Sequence, residues 1–339
     1  MTRITVVGAS GNVGSALLSR LASAPDVEDL TAIARRVPSA VPPYDAARWV
    51  SCNVAEPEAR STLVEAFRGA DTIVQLAWAI QPSHDERYLR RINVGGSAAA
   101  FDAAAAAGVG HIVYASSVGT YAPGPKDHPV DESWPATGVS SSSYGRHKAA
   151  VESWLDDWET RHPDVVVTRI RSGLAFQRKA ASEIARFFLG PFVPISLLGR
   201  VPLPFLPLSR RLTFQAVHAD DLAEAYLLAV RTRLGGAVNI AADPVLGPQD
   251  LAAAVRAHGV LPVPLWLLRG IAAATWQLRL QPTSPGWVDL AGSAPVMDTT
   301  RARSELGWRP RLSSIQALQE LVAGLADRAG APSPPLAAR

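Results

Sequence analysis

A doubly wound α/β fold, with helices on both faces of a parallel sheet, is what this 339-residue sequence predicts. Three observations predict it. Short apolar runs rich in β-branched residues alternate with helix-length segments through the first half; closely spaced glycines follow the first run directly; and an apolar share of 48% with only 19% charged residues can fill a sizeable core. The runs at 4–7, 30–34, 72–76, 111–115 and 165–170 read as buried strands, since a strand covered on both faces needs no polar alternation. Between them, 13–24, 56–68, 87–107 and 144–161 have helical length. Right-handed crossovers between parallel neighbours place such helices on both sides of the sheet.

Beyond about residue 170 the alternation fades. Pro191, Pro194, Pro202, Pro204 and Pro207 break up an apolar segment that cannot be one helix, and an irregular cap is expected there. Segments 220–231, 238–241 and 248–257 resume helix and strand patterns. The expected division is a first lobe of 1–170 with returning segments at about 210–245, a smaller irregular C-terminal lobe within 171–330, and a flexible Pro/Ala tail at 331–339.

Composition excludes several functions. The 33 basic and 30 acidic side chains are spread along the chain with no long cationic run, so nucleic acid is not an expected partner. Cys52 is the only cysteine, which rules out an intrachain disulfide, and no Cys/His grouping has zinc-site spacing, so no metal is expected. The first apolar run is too short for a signal-peptide core, and the greasiest stretch, 187–208, is interrupted by Arg200 and prolines. No membrane partner is therefore expected, and the expected location is the cytoplasm.

The turn Gly8-Ala-Ser10-Gly11-Asn12-Val13-Gly14 lies between the first strand and the first helix. Glycines at that spacing let the backbone turn tightly and approach a diphosphate, while the free amides of the helix N-terminus favour an anion. The first lobe is thus expected to bind a dinucleotide in the Rossmann manner. A dinucleotide with a free 2′-hydroxyl usually meets Asp or Glu at the end of the next strand, where this chain has Arg35 and Arg36. Two guanidiniums suit a 2′-phosphate, so NADP(H) is expected in preference to NAD(H).

Tyr144 and Lys148 are four residues apart and share one helix face. A neighbouring ammonium favours a phenolate, so Lys148 is expected to lower the phenol pKa and make Tyr144 a usable acid and base. Ser116 and Ser117 follow the strand 111–115 at its carboxyl end, where open α/β sheets bind ligands. A hydroxyl there can hold a carbonyl oxygen while Tyr144 supplies the proton.

With these residues the chain resembles the extended short-chain dehydrogenase/reductase superfamily, which includes the NAD-dependent epimerase/dehydratase proteins, over nearly its whole length. The resemblance rests on the Gly8/Gly11/Gly14 spacing, Leu76-Ala77, Asn93 in Ile-Asn-Val-Gly-Gly, Ser116-Ser117, the Tyr144/Lys148 pair and Asp298-Thr-Thr-Arg-Ala-Arg-Ser-Glu-Leu-Gly-Trp308. It implies that Tyr144 is the acid/base, that Lys148 grips the nicotinamide ribose, and that Ser117 orients the substrate oxygen. Cofactor contacts are implied for the glycine turn, Leu76, Ala77, Trp78, Asn93 and Ser116, and for Ser172, Gly173 and Leu174 beside the nicotinamide. Asn53, followed by Val54, takes a place where relatives often have Asp beside the adenine. Relatives usually dimerise through a four-helix bundle, which here implies a homodimer through 87–107 and 144–161.

The fold does not choose the reaction. Sugar-nucleotide members commonly carry a diphosphate-binding arginine shortly before the histidine corresponding to His218; this chain reads Phe214-Gln-Ala-Val-His218, with Arg210 and Arg211 nearby. Phe187, Phe188, Phe192 and Phe205 lie in the segment that closes over substrate in relatives, and an apolar lining suits a hydrophobic ketone, aldehyde or alcohol. The expected function is NADP(H)-dependent reduction of a carbonyl, or oxidation of an alcohol, on a small hydrophobic substrate touched by Trp78, Gln81, Ser117, Phe187, Phe188 and His218. The alternative is a sugar-nucleotide epimerase or dehydratase using NAD(P); a third reading is a non-catalytic NADP(H)-binding sensor. His84, His111, His147 and His218 share no chelating spacing and read as surface or packing histidines rather than metal ligands.

Overall fold

The computed structural model describes residues 1–190 and 193–338, so Pro191 and Phe192 lie outside the described residues. Seven strands form the central sheet: β1 (Thr2–Val7), β2 (Val27–Ala34), β3 (Arg48–Ser51), β4 (Thr72–Gln75), β5 (His111–Ala115), β6 (Val166–Ser172) and β7 (Gly236–Ile240). Their spatial order is 3-2-1-4-5-6-7, and every neighbouring pair is parallel. The order reverses between β1 and β4, which opens a crevice at the carboxyl ends of the strands. Strand β3 escapes a reading for apolar runs because it is a short edge strand whose Arg48 and Ser51 face solvent.

Alternation along β1 divides the core. Ile4 and Val6 face α1 (Asn12–Ala22), whereas Val7 faces α2 (Ala59–Phe67) on the other side. The second face is completed by α3, which runs through Glu86–Arg90, a π-helical turn at Arg91–Gly95 and then Gly96–Ala106, and by α4 (Ser143–Arg161). Its Ala100, Ala103 and Ala104 are fully buried, so this part of α3 approaches closely, while Phe101 packs between Tyr114, Trp154 and Trp158. The chain returns to the first face as α5 (Ala219–Thr232), whose Leu222, Tyr226 and Leu227 bury against α1.

His111 ties three strands together. Its Nδ1 lies 3.2 Å from Thr72 Oγ1 on β4 and its Nε2 3.0 Å from Thr168 Oγ1 on β6. Burial of the ring pushes its pKa down to about 4, with the charge of Arg233 adding to the effect.

The C-terminal lobe has a small core of its own, in which Phe176, Leu246, Leu318, Leu321 and Leu325 meet. It holds short parallel strand pairs, Leu174–Phe176 with Ala216–His218 and Leu206–Leu208 with Val260–Pro262. Three helices matter below: α6 (Leu265–Gln277), α7 (Pro285–Ser293) and α8 (Ser314–Ala326). The expected flexible tail is corrected where it is described. Leu336 and Ser333 are buried, Ser333 Oγ donates to the Ser10 carbonyl at 2.6 Å, and Arg186 donates to the carbonyls of Pro335 and Ala337. Pro332, Pro334 and Pro335 reduce the freedom that the segment loses on packing.

Candidate active site

The glycine turn is shaped by close backbone approach. Gly8 has φ +84°, and a Cβ there would come within 2.5 Å of the Ala77 amide nitrogen at the end of β4. A Cβ on Gly14 would strike the Ala9 carbonyl at 2.6 Å, so this glycine sets how tightly α1 abuts the turn. Gly11 differs, because a Cβ there would meet only the Gly8 carbonyl oxygen at 3.6 Å. That open side lies at the start of α1, which has no side-chain cap on its first amides. Ser10, Asn12 and Val13 complete the turn, yet the Asn12 side chain is already engaged: its Nδ2 donates to Ala175 O at 2.9 Å, and Gln177 Nε2 donates to Asn12 O and Oδ1. Backbone amides there, rather than the Asn12 side chain, are left for an anion.

Arg35 and Arg36 extend from the end of β2 into solvent, and neither meets a carboxylate among the described residues. Asn53 is turned inward to its own loop, donating to Glu56 Oε1 and accepting from the Ala55 amide, while Val54 packs over Gly96. Asn93 likewise serves the backbone. Its amide accepts from Ala79 N at 2.7 Å and donates to Ala79 O at 3.0 Å, fixing the loop that follows β4.

Ser117, Tyr144 and Lys148 come together at the carboxyl end of β5. The Ser117 hydroxyl accepts from the Gly119 amide at 3.0 Å and stands beside the Tyr144 phenol, whose ionisation it favours. Gly119 leaves room for this pairing, since a Cβ there would lie 2.7 Å from the Tyr144 ring. Lys148 is buried, donates to the Ala115 carbonyl at 2.5 Å, and stands 3.5 Å over the Trp78 ring centroid.

The electrostatics correct one expectation. Burial pushes the Tyr144 phenol up to about 12 rather than lowering it, opposed by its hydrogen bond to Ser117. Spacing along a helix gave the right neighbours but left out desolvation, which acts on both groups. The Lys148 ammonium is itself held well below its ordinary range by burial, with the Glu152 charge pulling the other way.

Glu152 is the residue that the sequence reading missed, although it follows Lys148 by one helical turn. Only 1% exposed, its carboxylate accepts from Ser116 Oγ at 2.5 Å, from Arg171 Nε and Nη2 at 2.9 and 2.8 Å, and from Arg169 Nη1 at 3.1 Å. Burial alone would raise this carboxyl, but the bonds and charge of Arg171, then Ser116 and Arg169, hold it below the usual carboxylate range. Ser116 and Arg171 therefore belong to the floor beneath the site.

The substrate residues of the sequence reading separate into two groups. Gln81 lines a narrow crevice with Tyr144, Trp276, Pro282 and Trp287, which encloses about 30 Å³, the room of one water. Trp78 meets Tyr144 edge-on, with centroids 6.0 Å apart, and its buried indole Nε1 has no hydrogen-bond partner among the described residues. Phe188 reaches the crevice through Trp287, at 5.1 Å between centroids, and Trp287 in turn lies 4.9 Å from Tyr144. His218 sits elsewhere: it caps α5 by accepting from the Asp220 amide, and its Nε2 pairs with Glu320 on α8 at 3.1 Å. Phe187 is half-buried and is not among the crevice walls. On the segment after β6, Ser172 is half-buried, Gly173 is pressed against the Gln215 carbonyl, where a Cβ would come within 2.6 Å, and Leu174 is exposed.

Comparison with known proteins gives this arrangement a family context. Residues 4–241 match the model of the NAD dependent epimerase/dehydratase family. A Mycobacterium tuberculosis protein of uncharacterised function is 27% identical over 335 residues, spanning 95% of this chain and 83% of its own length. The L-arabinose 1-dehydrogenase (NAD(P)(+)) of Haloferax volcanii is 32% identical over 117 residues, 34% of this chain and 41% of that protein. Among solved structures, the UDP-glucose 4-epimerase of Stenotrophomonas maltophila with bound NAD and formylated UDP-arabinopyranose superposes with a TM-score of 0.71 at 18% identity, covering 96% of this chain and 98% of that one.

Proposed function

We infer the function from one premise: the chain belongs to the NAD dependent epimerase/dehydratase family and is an enzyme of the extended short-chain dehydrogenase/reductase type. The reaction we propose is that of an epimerase or dehydratase, in which an alcohol carbon of a sugar-nucleotide substrate is oxidised and the hydride is returned to the sugar, at the same or another carbon, within one turnover. The observation that carries it is the meeting of Ser117, Tyr144 and Lys148 at the end of β5, in a chain whose family and structural neighbours include sugar-nucleotide epimerases. Those neighbours weigh against net carbonyl reduction, the first reading of the sequence.

The residues present suit a dinucleotide. Gly11 leaves an open approach to uncapped helix amides for a diphosphate, Arg35 and Arg36 are free for a 2′-phosphate, and Trp78 carries an unpaired buried donor. We accordingly propose NADP(H) over NAD(H), with Lys148 holding the ribose beside Tyr144. When bound, the cofactor supplies a hydride acceptor and donor and, in its oxidised form, a positive charge. Ser117 Oγ holds the substrate oxygen. Tyr144 Oη takes the proton from the substrate hydroxyl as that carbon loses its hydride and returns it as the carbonyl is reduced again; burial holds the phenol up at about 12, so a neighbouring positive charge must ease its ionisation for the first of these steps. The aromatic walls Trp276 and Trp287 leave the crevice the room of no more than about one water.

Product analysis tests this reading. Incubation with UDP-hexoses should give an epimer or a dehydrated sugar nucleotide with no lasting change in absorbance at the nicotinamide band. Stoichiometric NADPH consumption with a hydrophobic ketone, and no change to any sugar nucleotide, would overturn it in favour of a carbonyl reductase. That second reading draws on the apolar Pro82, Trp276, Pro282 and Trp287 around the crevice.

A further inference from the structure

No acidic residue occurs between Glu183 and Asp220, or between Asp250 and Asp289, whereas Arg186, Arg200, Arg210, Arg211, Arg256, Arg269 and Arg279 fall in those two stretches. Arg200 and Arg269 pair with Asp327 and Asp289 outside them. Arg210, Arg211, Arg256 and Arg279 are exposed and meet no carboxylate among the described residues. The same stretches carry the apolar surface. Helix α6 has no fully buried residue, with Trp266 72% and Ile271 53% exposed, and Leu278 just beyond it is 68% exposed. Phe205 and Leu261, 62% and 55% exposed, adjoin it: the Phe205 ring lies against Gly259, Leu206–Leu208 pairs with Val260–Pro262, and α6 begins three residues later.

We propose that this face of the cap docks on an anionic membrane surface, with α6 lying in the headgroup region and the four unpaired arginines meeting lipid phosphates. Isolated exposed apolar residues are ordinary, but here exposed Trp, Phe, Ile and Leu side chains of α6 and the strand pair beside it stand in stretches whose unpaired charges are all arginines, which suits a surface that is apolar beneath and anionic above. A second copy of the chain fits poorly, because a two-fold contact would set this patch against itself with no acid to answer the arginines. Nor does α6 cross a bilayer. Its 13 residues span about 20 Å against a hydrocarbon core of about 30 Å, and no described helix is long and apolar enough to span. The expectation of no membrane partner rested on the lack of a signal-peptide core and of a spanning segment, which leaves surface docking open. Docking would also bring lipid near the site, since Trp276 at the end of α6 stacks on His84 at 4.0 Å and lines the crevice beside Tyr144.

Flotation of the full chain with vesicles tests the proposal without reference to any substrate. The protein should float with phosphatidylcholine vesicles containing phosphatidylglycerol, should stay behind with phosphatidylcholine alone, and should be released by salt. Arg210→Gln and Arg279→Gln should each weaken partitioning about fivefold, and Ile271→Asp should abolish it while catalytic turnover in solution is retained. Absence of flotation with anionic vesicles would overturn the proposal. So would a dimer in sedimentation velocity that Ile271→Asp dissociates, which would assign the patch to a second copy.

Discussion

The floor of the site and the cap above it use charge in opposite ways. Under Tyr144 and Lys148, the Glu152 carboxylate receives four hydrogen bonds from Ser116, Arg169 and Arg171, all of them out of water. On the cap, Arg210, Arg211, Arg256 and Arg279 stand in solvent beside apolar side chains with nothing over them. The contrast assigns different tasks to the two regions. A buried network with fixed partners holds reacting groups in one geometry, whereas a loosely covered cap can be altered without disturbing that geometry.

Breaking the floor should produce the largest change. Replacing Glu152 with Ala leaves two buried guanidiniums without their shared carboxylate, and denaturant unfolding should show a loss of about 3–5 kcal/mol; a loss under 1 kcal/mol would mean that the network does not hold the floor. Acid comes next. His111 has a folded pKa of about 4 against about 6.5 unfolded, so it is neutral in both states above pH 6.5 and only the unfolded chain gains a proton as pH falls toward 4. Stability should therefore drop by about 3 kcal/mol across that window from this residue alone, and His111→Asn should flatten the slope.

Cofactor binding sharpens the comparison at the rim. Arg35→Ala with Arg36→Ala should weaken NADPH binding by about tenfold or more, the loss of a charge-assisted contact, and leave NADH binding unchanged. Equal losses for both cofactors would remove the basis for preferring a 2′-phosphate. The smallest effect belongs to the cap, where Trp266→Ala should change folding stability by less than about 0.5 kcal/mol, because that side chain is 72% exposed.

The sequence made the sheet and the chemistry-bearing residues legible for a shared reason: both are written in local patterns. Strand β5 runs straight into Ser116 and Ser117, and Tyr144 and Lys148 are one turn apart on α4. Glu152 continues that same face and was open to the same argument. Trp276 and Trp287 were not, because they reach Tyr144 from more than a hundred residues away in a lobe without a regular period. What Asn53 and Asn93 hold within the protein was not legible either: Asn53 bonds Glu56 and the Ala55 amide, and Asn93 the backbone of Ala79, pairings that only the folded loops determine. Packing of the tail was hidden for a similar reason: composition does not reveal that Leu336 finds a buried place, or that Ser333 reaches the carbonyl of Ser10.

The claim on which the rest depends is that the Tyr144 phenol moves the proton. Tyr144→Phe keeps the ring against Trp287 and removes only the hydroxyl, so parallel measurement of turnover and NADP(H) affinity isolates that group. Turnover should fall by about a hundredfold to ten-thousandfold while the cofactor Kd changes by less than about twofold. Turnover within a few fold of the unaltered chain, at unchanged affinity, would contradict the account.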